Sequence, residues 1–266
     1  MSPSERKEAV QKLQKPSSLK QNLTIVMVLV LLAWSAFKTD ASLPELIEGI
    51  PEMGKLFVEM YPPDWSYMIK IWEPMMETIR MAIVGTVVGA LVAIPISFLA
   101  ARNVTPIPVL SVTARFLLNL ARTIPELMFA GVFAAIVGYG PLAGMIALAF
   151  LSFGIVSKLT YESIESIDTG PLESMTAVGA NKLQWIRFGV LPQVTAQFAG
   201  FVLYTFEVNV RAASILGFVG AGGIGLLLQR ALDRLRYDQA STIIILTLVV
   251  VLIIDYVSTK LREKLL

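Results

Sequence analysis

Two pairs of opposite charge are embedded in otherwise apolar sequence: Arg122 with Glu126, and Glu207 with Arg211. The members of each pair are four residues apart, so on one α-helix they share a face and can pair. A charge inside an apolar run turns toward a bundle interior or a water-filled path, because hydrocarbon does not solvate it. Two kinds of work fit such residues. A neutralised pair fixes how helices pack. Alternatively, Arg122 and Arg211, helped by the amide of Asn209, pass an oxyanion along, since a guanidinium fork binds two oxygens at once.

Most other chemistry is excluded. The 266 residues contain no cysteine and no histidine, which removes disulfides, thiolates, most zinc sites and imidazole acid–base catalysis. An intramembrane hydrolase would need a nucleophile held beside a base, and nothing in the apolar runs reads as one. The pattern Gly-x-x-x-x-Gly-Lys-Ser/Thr does not occur, so the chain carries no P-loop and any ATP is bound elsewhere. "GAGGIG" (Gly220–Gly225) has the letters of a dinucleotide fingerprint, but that site needs a β-α-β unit and none is readable. Close backbone packing, or an unwound segment lining a cavity, is the expected meaning. No cofactor or metal site is expected, and no stretch reads as a nucleic-acid patch.

The elements that must position these residues are membrane helices. Hydrophobic residues make up 55% of the chain, above the roughly 45–50% of soluble domains. They come in runs of roughly 18–25, the length of a bilayer-crossing helix. The expected architecture is an all-α integral membrane protein with about six transmembrane helices: 23–37, 75–100, 115–137, 141–159, 194–216 and 240–258. Residues 1–22 form a basic tail. A basic tail before a short apolar run also fits a signal peptide, but no small-x-small cleavage site follows, so an uncleaved anchor is expected. Residues 38–74 form an acidic external segment, in which Leu43–Met60 is expected as a helix lying at the surface, stopped by "YPPDW" (Tyr61–Trp65). Gly85-x-x-x-Gly89, flanked by Ala82 and Ala93, is a small-residue stripe expected to pack within the chain rather than between chains.

Six spans put both termini on one side. With the termini inside, cytoplasmic segments hold 13 Lys/Arg and external segments six, as the positive-inside rule requires. Residues 160–193 and 261–266 are then cytoplasmic.

The loop 160–193 contains "ESMTAVGANKLQWIRFGVLP" (Glu173–Pro192). Gly170-Pro171 with Glu173 predicts a helix start. Asn181 with Gln184 three residues on predicts a second, in capping-box spacing. Gly179 between them permits a sharp bend, and Leu191-Pro192 is expected to end the second helix. The product is a rigid helix–turn–helix knob, with Met175, Val178, Leu183 and Ile186 available to enter a groove.

The spacing of Glu173, Gly179 and Leu191-Pro192 resembles the coupling-loop motif of binding-protein-dependent ABC importer permeases. The usual opening of that motif is Glu-Ala-Ala; here it is Glu173-Ser174-Met175, and Gly189 stands where the family often has isoleucine. The surroundings resemble the phosphonate-permease branch: "YPPDW", "GPLAG", "GANKL", "VLPQV", "FEVNVRAASILGFVGAGGIG" and "DYVSTKLR", in order from Tyr61 to Arg262. The resemblance implies a MetI-like permease fold with cytoplasmic coupling helices, in a bacterial cytoplasmic (inner) membrane. It implies uptake of phosphonate or a related oxyanion such as phosphite or phosphate. The implied partners are a second copy of the chain in a homodimer, two ATP-binding subunits holding ATP and Mg, and an extracytoplasmic phosphonate-binding protein. On this view Glu173, Gly179, Ala180, Asn181 and Lys182 couple to the ATPase, and Arg122, Glu126, Glu207, Asn209 and Arg211 line the path. The chain itself is expected to catalyse nothing. The alternative is a self-sufficient secondary transporter or channel for anions, which inverted internal repeats would favour; none is convincing.

Overall fold

The computed structural model describes residues 18–39 and 43–265; most of the basic tail expected over 1–22 lies outside them. The chain divides after Val58 into two units. In the first, α1 (Ser18–Lys38) exposes apolar side chains on every side, from Leu23 through Val30 to Trp34. A helix that is apolar all round suits lipid. Next comes α2 (Leu43–Glu59), with Ile47, Ile50, Met53 and Phe57 along one face and Glu45, Glu48, Glu52 and Glu59 on another.

The second unit is built on two long helices, α3 (Met68–Ala100) and α6 (Pro141–Glu165). Small residues let their backbones meet. A methyl group added to Gly85 would lie 2.6 Å from Leu148 Cβ, and one on Gly89 would lie 2.4 Å from Ser152 Cβ. The stripe therefore packs within the chain, as expected. The contacts Gly85–Leu148, Gly89–Ser152 and Ser97–Ser157 rise together in number, so the two helices run parallel. The connection between them must then return the chain to its starting side.

That connection corrects the expected continuous span at 115–137. It is a bent pair, α4 (Pro108–Thr123) and α5 (Glu126–Val137), whose axes differ by 87°. Pro125 has no N–H to continue the ladder and pushes Ile124 into extended backbone, φ −84° and ψ 123°. Among the described residues, with the bent pair counted as one crossing, up to six elements are long and apolar enough to span; five are single helices.

The remaining α-helices among the described residues are α7 (Gly170–Ala177), α8 (Lys182–Gln184), α9 (Leu191–Leu216), α10 (Gly223–Asp233) and α11 (Tyr237–Leu265). One end of the unit gathers Asp64 with Asp238 and Gly140 with Gly220, through backbone bonds of 3.1 and 2.9 Å. The opposite end gathers the turn at 101–107 and residues 165–193, where Asn103 Nδ2 donates to Ile164 O at 2.6 Å and Arg115 pairs with Glu165. The Gly220–Gly225 run is a reversal, not a nucleotide loop: Gly217 and Gly225 are in backbone contact, and Ile224 N–H donates to Thr78 Oγ1 at 2.8 Å. It also lines a cavity of about 500 Å³ with Glu77, Tyr139 and Arg230.

Candidate functional site

The knob is assembled from local bonds. Pro171 lies in the first turn of α7, with Glu173 near the positive end of that helix. The helix closes on Gly179, whose φ of +74° suits glycine. Gly179 N–H donates to Thr176 O and Ala180 N–H to Met175 O, both at 3.0 Å, the two bonds of a Schellman turn. Asn181 then caps α8: its Oδ1 accepts from Gln184 N–H at 2.9 Å, and Gln184 Oε1 accepts from Asn181 N–H at 3.0 Å. This is the capping box that the spacing predicts.

Side chains bolt the knob to the helices above it. Lys182 Nζ lies 4.2 Å from the centre of the Trp185 ring, and Trp185 Nε1 donates to Leu172 O at 3.2 Å. Leu172 and Val190 are buried in one cluster with Ala100, Val104, Leu118 and Tyr161. The outward side carries Val178 and Leu183, each 76% exposed, beside exposed Glu173, Asn181 and Lys182 and half-buried Ala180. Met175 and Ile186, expected to face outward with them, are half-buried, Ile186 against the cluster that holds Leu172 and Val190.

Leu191-Pro192 is not a stop. Residues Trp185–Val190 form a π-turn that runs straight into α9, with Leu191 N–H bonded to Ile186 O. A wider turn followed by proline in the first turn of the next helix accommodates the missing N–H without a break. Gln193 closes the junction: Nε2 donates to Gly189 O at 2.7 Å, and Oε1 accepts from Asp168 N–H at 3.0 Å. Gln193 thereby ties the segment that follows α6 to the start of α9.

The polar residues of the bundle divide differently from their sequence spacing. Glu207 and Arg211 pair as expected, with Arg211 Nη2 donating to Glu207 Oε1 at 2.7 Å. The second carboxylate oxygen accepts from Arg262 Nη2 at 3.1 Å. Sequence reasoning missed Arg262, because it placed residues 261–266 in a tail; α11 in fact continues to Leu265. Asn209 does not present its amide to an open path. It is fully buried, with Nδ2 donating to Thr86 Oγ1 at 2.7 Å and Ser152 Oγ at 2.6 Å, so it clasps α3, α6 and α9 together. Arg122 and Glu126 do not share a helix face, because the break at Ile124-Pro125 falls between them. The stem of Arg122 lies over Gly154 instead, and both residues line a cavity of about 360 Å³ at the bend, with Phe129, Phe150 and Ile155.

Residues 93–265 match the family model for the inner membrane component of binding-protein-dependent transport systems. The chain belongs to that family of permeases. Among its relatives, the phosphite transport system permease protein PtxC of Stutzerimonas stutzeri is 39% identical over 242 residues, 91% of this chain and 87% of that one. The phosphate-import permease protein PhnE of Mycolicibacterium smegmatis is 39% identical over 216 residues, 81% of this chain and 40% of that one. The fold is similar to that of a chain in a structure of inward-facing conformations of the MetNI methionine ABC transporter, with TM-score 0.66 at 20% identity, covering 76% of this chain and 99% of that one. This permease is thus a multi-pass inner-membrane protein with the MetI-like fold.

Proposed function

We propose that this permease is the membrane subunit of an ATP-driven importer for phosphonate or a related phosphorus oxyanion, phosphite or phosphate. The observation that carries the reading is its kinship with a phosphite permease over 91% of the chain. The phosphate-import relative widens the cargo to the oxyanion class. The side-chain chemistry agrees, since Arg122, Arg211 and Arg262 offer forked donors to such an anion. On this reading the knob end is cytoplasmic, with both termini on that side. Two ATPase subunits dock on the exposed face around Glu173, Gly179, Ala180, Asn181, Lys182 and Leu183. A binding protein delivers cargo at the opposite end, where Arg230 lines the outer cavity. Two copies of the chain form a homodimer around the path.

ATP binding closes the ATPases and displaces the knob. The tie through Trp185, Leu172 and Gln193 then tilts α6 and α9 between inward- and outward-open arrangements. Such coupling needs each ligand to favour one state through differential contacts, and the permease provides the element that both bias.

Growth of a strain lacking only this chain tests the reading, on 2-aminoethylphosphonate, methylphosphonate, phosphite or phosphate as sole phosphorus source. Loss on one or more of the first three, rescued by the wild-type gene and not by Gly179→Pro, is the expected result. Unchanged growth on all four withdraws the cargo. A pull-down through a tagged copy recovers an ATPase and an untagged copy; a secondary transporter or channel would recover no ATPase. Recovery of a different permease chain would replace the homodimer by a mixed pair.

A further inference from the structure

Between α6, α9 and α11, near the knob, lies a cavity of about 670 Å³ lined by Leu159, Glu162, Ser163, Gln197, Tyr204 and Arg262 among others. Its size is in the range of small-ligand sites. The spacing of charges beside it is uneven. Arg211 and Arg262 share a single carboxylate, Glu207, whose side chain is only 8% exposed. Glu162 has its own partner in Lys158, at 3.6 Å. Among the described residues the trio of Arg211, Arg262 and Glu207 therefore carries one positive charge in excess, with Arg262 at 27% exposure the less open of the two arginines, and such a charge favours an anion.

The two arginines are not held equally. Arg211 lies 2.7 Å from Glu207, within the usual range of a charge-assisted bond, whereas Arg262 lies at 3.1 Å, beyond it. The same Arg262 Nη2 is shared with Thr259 Oγ1 at 3.2 Å, and Arg262 Nε–H is buried with no partner among the described residues. Arg262 is thus the guanidinium with donors in reserve, and it lines the cavity. Ser163 and Gln197, bonded to each other, and Tyr204 supply neutral hydrogen-bonding groups around the same space.

We propose that Arg262, with Gln197, Ser163 and Tyr204, forms an oxyanion subsite on the knob side of the bundle, and that Glu207 is a resident counter-ion which the cargo displaces. This rests on the phosphorus-oxyanion reading of the function. Glu207 takes only Nη2 of Arg262, whereas a phosphorus oxyanion can offer an oxygen to each arm of the fork, so it competes with Glu207 for Arg262. When Glu207 takes Arg262 back, the cargo loses its strongest partner and leaves. The walls of the cavity, residues 159–166 and 197–204, flank the knob in sequence, so knob movement changes the site directly.

The test uses the full complex of permease and ATPase subunits, without binding protein, in nanodiscs. Binding of methylphosphonate, phosphite and phosphate is read by phosphorus NMR, and uptake in proteoliposomes with the binding protein restored. Assembly of each variant is checked by size exclusion. Wild type is expected to bind at least one probe. Arg262→Gln should lose that binding by about tenfold or more, and Arg262→Lys should recover part of it, as expected for removal and partial return of a charged partner. Glu207→Gln should tighten binding by about tenfold while slowing uptake, because the competitor is gone. That opposite sign is not produced by a merely structural ion pair. Wild-type binding retained by Arg262→Gln, or weakened by Glu207→Gln in an assembled complex, overturns the subsite and leaves the cargo class standing. A wild-type complex that neither binds nor transports any of the probes overturns the cargo class and the subsite with it.

Discussion

Asn181 and Asn209 are the same residue put to opposite uses. Asn181 is exposed, and its partner is Gln184, three residues away. Asn209 is fully buried, and its partners are Thr86 and Ser152, 123 and 57 residues away. Either oxygen-bearing acceptor suits the first site, because a cap needs only to receive an N–H. Only a two-hydrogen donor suits the second, because Thr86 and Ser152 already donate their hydroxyls to Ala82 O and Leu148 O. The knob is therefore tolerant and local. The bundle clasp is exacting and assembled from three distant helices.

Asn→Asp at both positions is the sharpest way to break this contrast. Asn209→Asp buries a carboxylate against two hydroxyls with no hydrogen to give. It should cost about 3 kcal/mol or more, seen as a large drop in the midpoint of thermal unfolding in detergent. An unfolding midpoint like wild type would mean that the clasp opens to water. Next in size is Gly89→Val, which drives a side chain into Ser152 Cβ and Ala149 O, the latter 2.5 Å from the position of an added Cβ. Overpacking of this kind costs about 3 kcal/mol at the upper end of its range and should reduce the yield of assembled permease.

The knob variants should be milder in stability and visible in coupling. Gly179→Ala places a side chain at φ +74°, at a cost of about 1–2 kcal/mol. ATP-driven uptake should fall while the unfolding midpoint of the bundle moves little. Equal loss of both would show that knob and bundle unfold as one. Asn181→Ala removes a cap worth about 1 kcal/mol and should raise amide exchange across Lys182–Trp185. Asn181→Asp should change stability by less than about 0.5 kcal/mol, the smallest effect of the set and the direct counterpart of Asn209→Asp.

Prolines repeat the lesson. Pro74 and Pro95 lie inside α3 without ending it, whereas Pro125 ends α4 and turns the chain by 87°. Ala93, two residues before Pro95, is fully buried and packed against its neighbours. Ile94, directly before Pro95, is as exposed as Ile124 before Pro125, at 38% and 40%, but Ala93 and Ser97 on either side of Pro95 are fully buried, whereas Thr123 and Leu127 on either side of Pro125 are exposed. Packing on both sides carries α3 across its defect, and the exposed junction at 124–125 has no such support. The Pro125 signal was present in the span expected at 115–137, but its consequence depended on neighbours that the spacing does not reveal.

The sequence by itself determined the membrane class, the intrachain small-residue stripe, the helix starts at Gly170-Pro171 and Asn181, and the pairing of Glu207 with Arg211. Each follows from residue type or from spacings of a few residues along one helix, where geometry is set by the backbone. Only the tertiary structure decided that Pro125 bends while Pro95 does not, that Leu191-Pro192 continues as a π-turn, that Asn209 clasps three helices, and that Arg262 shares Glu207. Those outcomes depend on which helices become neighbours, because a buried polar group or a missing N–H is resolved by whatever partner packing brings within hydrogen-bond reach.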